Sequence, residues 1–535
     1  MHARSNTPSL LTAIALLLTA LALLLAPPAR AGEAPPDGLD AEAWQQVQAA
    51  IVDQVDAEIA AGDDEALRGG LAAVHGLIRR QVLVGDYSDL PPQDAPDGPE
   101  FGYSVAIDGD WLAVGAPGTV WTHDTHGTGP HGAVFLFRRG ADNQWTLSQR
   151  RLQANGTSGA QPGSRCGHSV ALRFPHLAFG CPEMATAGVE RRGQVYTNRF
   201  SGVTFNGSGT MSGSGSGRRC GAALALSANY LAIGCATDGG GSGQVRVVRR
   251  AANDTFPLGE PEAILEPGPD VFGFGWALAL REPGTFFVGE PGNVRLAIGA
   301  PNTVFAGTPL PRGSAYVYQR AIAAPTWTLN ATVRPAALGS DDAVFANFGA
   351  AVAMNRNELL VGAPNNRYSS VQTFPGPGTV RRYTLTNTAG TWAWLLQESG
   401  GPANVPDGIG NGLRFGAALA LGFDNLIAVG APGTPSVGGG RPEVGLAEIR
   451  RFPAGDWSLN QYWGELRPAG NTPTHNNARF GSSLDFDVAG RTLAVGVPGH
   501  RILGQPPPPR GQVWLYVEDR LFENGFQCAS GLPGC

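Results

Sequence analysis

The chain has 535 residues, of which 76 are Gly and 42 Pro, while charged side chains make up only 15%. That composition excludes a protein built on long helices and favours short strands joined by many tight turns. The formal net charge is −6 and all 38 basic residues are Arg, none of them in a run that would mark a nucleic-acid interface, so no nucleic-acid partner is expected.

Taken in chain order, the first element is MHARSNTPSLLTAIALLLTALALLLAPPARA, with Arg4 ahead of an apolar run from Leu10 to Ala26. Ala29 and Ala31 supply the small residues of a secretory cleavage site before Gly32, which predicts a signal peptide over residues 1–31. The alternative is an uncleaved anchor, because the run is nearly long enough to span a bilayer. Export predicts a secreted, periplasmic or cell-surface protein with no stable membrane insertion after cleavage, in a compartment where cysteines pair. Residues 32–78 form a helical N-terminal segment in this reading. Within it Trp44, Val47, Ile51, Val55 and Ile59 recur at helical spacing after Asp40, the expected N-cap. Such a helix either covers part of the next domain or binds a partner.

From Phe101 one unit is written seven times. FGYSVAIDGDWLAVGAPG is followed by CGHSVALRFPHLAFGCPE from Cys166, CGAALALSANYLAIGCAT from Cys220 and FGWALAL from Phe274. FGAAVAMNRNELLVGAPN from Phe348, FGAALALGFDNLIAVGAPG from Phe415 and FGSSLDFDVAGRTLAVGVPG from Phe480 complete the set. Each copy alternates small and large residues, as a strand with two unlike faces does. A short turn such as Asp108-Gly109 then leads into a second apolar run, a hairpin signal. A third run begins at Gly132, Gly193, Gly243, Gly313, Gly378, Gly445 or Gly511, and a fourth, weaker one often begins at Trp, as at Trp145 and Trp327. Four strands in each of seven units predict an all-β, seven-bladed β-propeller over residues 79–517. In the fourth copy a second Val-Gly-x-Pro, within REPGTFFVGEPGNVRL from Arg281, leaves the second strand open between two stretches.

After Val517 no fourth strand is visible, only a tail over residues 518–535. The segment from Arg79, RRQVLVGDYSD, is placed to pair with the run at Gly511 and close the ring without a covalent link.

The six cysteines follow the repeat. Cys166 and Cys220 stand where other copies carry Phe, and Cys181 and Cys235 stand fifteen residues later, where Phe101 is followed by Ala116. A hairpin brings two such positions opposite each other, which selects the disulfides Cys166–Cys181 and Cys220–Cys235 and leaves Cys528 to pair with Cys535. Counted from a two-residue turn the positions fall on a hydrogen-bonded pair, so a bulge must adjust the register. Ligand spacing for zinc and a CxxC redox motif are both absent.

The Phe-Gly…Gly-Ala-Pro signature resembles FG-GAP repeats, the units of the integrin α-subunit N-terminal propeller and of exported bacterial proteins; Arg without Lys suits a GC-rich bacterial genome. In that family calcium loops often join the first two strands and the long-loop face binds ligand. Here the connections read IDGDW, LRFPHL, LSANYL, MNRNEL, GFDNL and DVAGRTL, none with the oxygen series calcium requires, so no cofactor is expected. Carried over, the long-loop face gathers residues 118–131, 183–192, 236–242, 302–312, 365–377, 433–444 and 499–510. Trp121, Phe305 and Tyr368 are its candidate aromatic contacts. His123, Asp124, His126 and His131, in WTHDTHGTGPHG, form a candidate metal cluster set against the reading of a solvated glycine-rich loop.

No nucleophile elbow, HExxH or Walker loop is present, so no catalytic residue is assigned. The sequence therefore reads as a monomeric, adhesion-type binding module for an unidentified extracellular protein or glycan. The alternatives are a hydrolase or lyase with a site over the central channel, and a structural envelope component.

Overall fold

The computed structural model describes residues 77–518, apart from 96, 125, 153–161, 187, 216, 238–240, 284–291, 306–310, 322–323, 336–345, 356, 366–375, 389–390, 403–411, 423–425, 436–442, 452–461, 469–476, 488–490 and 501–510. The signal peptide, the N-terminal helical segment as far as residue 76, Tyr368 and the Cys528–Cys535 pair lie outside the described residues.

Seven four-stranded antiparallel sheets form the blades. Blade 1 runs Ser104–Asp108, Trp111–Ala116, Ala133–Arg139 and Trp145–Leu152, from the axis outward. The first strands of neighbouring blades lie side by side around the ring, so the small-large alternation read in the sequence is the inner wall of the propeller. Blades 2 to 6 repeat the order, and blade 4 takes Asn293–Ala300 as its second strand, which settles the choice its duplicated motif left open. Blade 7 holds Ser483–Asp487, Thr492–Val497 and Gln512–Glu518, and its outer strand is Leu77–Leu83 from the other end of the chain. Leu83 pairs with Val513 and Leu77 with Glu518, so the ring closes by hydrogen bonds and leaves that third strand no open edge.

The Phe of each Phe-Gly is fully buried between sheets: Phe101, Phe274, Phe348, Phe415 and Phe480 are each at most 1% exposed. The two glycines of the signature meet across the seams. A Cβ on Gly115 would sit 1.9 Å from the carbonyl oxygen of Gly167 in the next blade, and one on Gly299 equally close to that of Gly349. The same approach, at 2.0–2.1 Å, recurs at Gly180, Gly234, Gly362, Gly430 and Gly496, the last against Gly102 of blade 1. Each seam also carries a parallel bridge from the glycine opening one third strand to the Phe or Cys of the next blade, ending with Gly511 to Phe101. The repeat is thus interlocked backbone to backbone, and only a residue without a side chain fits at the second-strand position.

Cys166–Cys181 and Cys220–Cys235 are both bonded, with Cα atoms 4.0 and 3.9 Å apart. The expected irregularity is present: the pairing of Cys220 with Cys235 jumps to Ala223 with Gly234, so two extra residues bulge out at Gly221 and Ala222. Two disulfides fit an oxidising, non-cytoplasmic compartment. Among the described residues no helix is long and apolar enough to cross a membrane.

Candidate functional site

First and third strands both start at the long-loop face, so the residue after each Phe-Gly or Cys-Gly stands at the mouth of the central channel. In blade order these are Tyr103, His168, Ala222, Trp276, Ala350, Ala417 and Ser482. Tyr103 and His168 meet across the seam of blades 1 and 2, with the phenol oxygen 3.2 Å from His168 Nε2 and ring centroids 4.9 Å apart. Burial pushes His168 down to about 4, and the positive charges of Arg165 and Arg219 push the same way. The imidazole is therefore neutral at physiological pH, and one of its nitrogens can accept the hydrogen bond that the Tyr103 hydroxyl donates. Trp276 in blade 4 remains 42% exposed.

The residue before each Phe-Gly or Cys-Gly frames this mouth. Arg165 donates to Glu100 at 2.9 Å and lies over the Tyr103 ring at 5.2 Å. Burial raises the Glu100 carboxyl and Arg165 opposes the rise. Arg219 and Arg191 both hold Glu183, at 2.5 and 2.6 Å, and against the effect of burial they keep it below the usual carboxylate range. Glu100, Arg165 and Arg219 all have positive φ, at 55, 54 and 45°, which turns the incoming chain sharply onto the first strand. These positions recur at 54–65-residue spacing, and only the fold brings them together. The arrangement supplies fixed donors, an imidazole face and an exposed indole, and both of its carboxylates are paired with arginine.

At the opposite end of the channel a second polar group belongs to the scaffold. Asp485 occupies a position that is Ala in the other six blades. Its Oδ2 accepts from the Ile107 amide of blade 1 at 2.9 Å and its Oδ1 from Phe486 at 3.0 Å, while Asp487 accepts from Gly109 at 3.3 Å. Burial drives Asp485 up to about 7. The sequence reading missed it, although a lone Asp in a column of alanines was a legible signal.

The residues singled out on the long-loop face fall as follows. Trp121 is buried, at 2% exposed, and its indole donates to the Gly132 carbonyl at 2.9 Å, so it packs the core of the blade 1–2 seam. His123, His126 and His131 are gathered by a hairpin of Val120–His123 and Gly127–Pro130. His123 lies 4.8 Å from His126 and 6.2 Å from His131, ring to ring, and Trp121 packs 4.6 Å from His131. His131 Nε2 is 3.0 Å from the Gly127 oxygen, Asp124 points to solvent, and burial, followed by the neighbouring His126 and His131, lowers His123. Among the described residues no group of three His, Cys, Asp or Glu side chains is placed to hold a metal ion. Phe305 is half-buried beneath the Arg334 guanidinium, 4.8 Å from its ring centre.

Residues 85–137 match a family model described as FG-GAP repeat. Among solved structures, the crystal structure of the Saccharomyces cerevisiae Sqt1 is similar at 9% identity and a TM-score of 0.41, over 79% of this chain and 96% of that one. No curated protein matches.

Proposed function

We propose that this chain, an FG-GAP-repeat β-propeller protein, is a binding module of adhesion type whose long-loop face recognises an extracellular protein or glycan. The observation that carries the reading is the mouth of the channel on that face. There Tyr103, His168 and the exposed Trp276 share one rim, with Arg165, Arg191 and Arg219 held in place by Glu100 and Glu183. Aromatic and arginine side chains fixed on a rigid scaffold are the usual anchors of recognition surfaces. The two disulfides support a location outside the cytoplasm.

The test is capture by the purified protein on glycan and protein arrays, repeated with Trp276→Ala, which removes an exposed side chain and leaves the fold intact. Ligands should be retained by the native protein and lost or weakened about tenfold by the substitution. An array without reproducible capture, or capture indifferent to both Trp276→Ala and Arg165→Ala, removes the reading.

A further inference from the structure

The seam between blades 2 and 3 departs from the rest. In blades 1, 4 and 7 the Phe of the signature meets, edge-on, an aromatic third residue of the third strand: Phe101 with Phe135 at 5.3 Å, Phe274 with Tyr316 at 5.5 Å and Phe480 with Trp514 at 5.3 Å. In blades 5 and 6 an arginine covers the ring instead, Arg381 over Phe348 at 5.7 Å and Arg450 over Phe415 at 5.5 Å. Blade 2 has lost the Phe to Cys166 but keeps Tyr196, stacked on Phe179 at 5.2 Å. Blade 3 has lost both rings: Cys220 replaces the Phe and Arg246 the aromatic.

What remains, among the described residues, is a group of donors with few acceptors. Arg246 is half-buried; among the described residues its Nη1 meets Met211 Sδ alone, at 3.6 Å, and its Nε is buried with no partner. Two residues earlier, on the same face of the strand Gln244–Arg249, Gln244 is 4% exposed and its Nε2 is likewise buried with no acceptor. Arg192 donates to the Gly213 carbonyl at the edge of the same seam, and the Arg218 side chain runs past Gly215, 3.7 Å from where a Cβ on that glycine would stand. Burial, and then the charges of Arg218 and Arg192, hold the Arg246 guanidinium below its ordinary range. The nearby carboxylate Glu183 is bound to Arg191 and Arg219. Among the described residues none of Arg192, Arg218 and Arg246 makes an ion pair. Three half-buried cations with no carboxylate among them, beside a buried amide and a guanidinium Nε that lack an acceptor, are a costly arrangement, and an anion seated among them relieves it.

We propose that this seam binds a tetrahedral oxyanion, the terminal group of a sulfate ester or a phosphate monoester, through Gln244 Nε2 and the guanidiniums of Arg192, Arg218 and Arg246. Guanidinium forks match oxyanions in geometry, and three terminal oxygens meet more of these donors than the two of a carboxylate do. The site deepens the reading of the long-loop face as the binding face and rests on it for the direction from which a ligand arrives.

The experiment is calorimetric titration of the whole protein with sodium sulfate, sodium phosphate and sodium acetate at constant ionic strength. Sulfate or phosphate should bind saturably and about tenfold or more tighter than acetate, and Arg246→Met should weaken that binding by a similar factor. Arg218→Ala carries the same test at a less buried position, should Arg246→Met lose its native circular dichroism. Absence of saturation, an unchanged affinity in the folded variants, or acetate binding as tightly as sulfate overturns the assignment. Sulfated against phosphorylated oligosaccharides then separates the two sources of the group. Sulfate binding by a protein that captures nothing on the arrays keeps this site and removes the wider reading; array capture without sulfate binding does the opposite.

Discussion

Because Cys220 and Cys235 stand where other blades carry Phe and Ala or Val, the bridge can be exchanged for the contact it replaced. Cys220→Ala with Cys235→Ala opens a loop spanning fifteen residues, and loop-closure entropy puts the loss at about 3 kcal/mol. Cys220→Phe with Cys235→Ala also opens the loop but inserts a ring at a site where its counterparts are fully buried, and that burial contributes roughly 1.5–3 kcal/mol. Arg246 stands ready to cover the new ring as Arg381 covers Phe348. Denaturant unfolding followed by tryptophan fluorescence should therefore rank the native protein first, the Phe/Ala pair close behind it and the Ala/Ala pair last. The two variants should differ by roughly 1.5–3 kcal/mol. The Phe/Ala pair should also lose sulfate binding, since its ring fills the space in front of Arg246. Equal midpoints for the two variants refute the equivalence of these positions with Phe101 and Ala116, and with it the account of the seam.

Removing Leu77–Leu83 bares the edge of Gln512–Glu518 and the cluster that Leu77 seals, so calorimetry should show the single melting transition broadened or split; an unchanged transition contradicts closure by this strand. Gly299→Ala places a Cβ 1.9 Å from a backbone oxygen of the next blade and should cost about 1–3 kcal/mol by overpacking, whereas an unaltered unfolding midpoint contradicts the interlock. Asp485 titrates at about 7 in the folded chain and about 4 in an unfolded one. The stability tied to its proton is thus complete below about pH 4 and is lost as pH rises through about 7. Asp485→Asn should flatten that decline between about pH 5 and 8 in thermal melts; equal declines in both proteins contradict the assignment.

The blades, both described disulfides and the closing strand were legible in the sequence because each is a local pattern repeated in register. What lay beyond it depends on neighbours in different repeats. Gly115 and Gly167 are unrelated residues in one dimension, although a side chain on the first would strike the carbonyl of the second across the seam. Glu100, Arg165 and Arg219 are ordinary loop residues until the ring sets them side by side. The histidines of residues 123–131 did come together, but as a packed hairpin whose indole, Trp121, is turned inward. Blade 4 shows the limit of motif reading: two stretches carried the same Val-Gly signal, and only pairing with Ala277–Arg281 and Ser314–Ala321 distinguishes Asn293–Ala300.

The paired glycines have a consequence for how such rings grow. Every copy of the motif carries a notch for the blade after it and a carbonyl for the blade before it, so a duplicated or transplanted copy arrives already fitted to both sides. Nothing in that joint counts to seven. Membership of the ring is set by how far each wedge turns the circle, which leaves blades free to diverge outside the joint, as the second and third have done by taking on sulfur bridges.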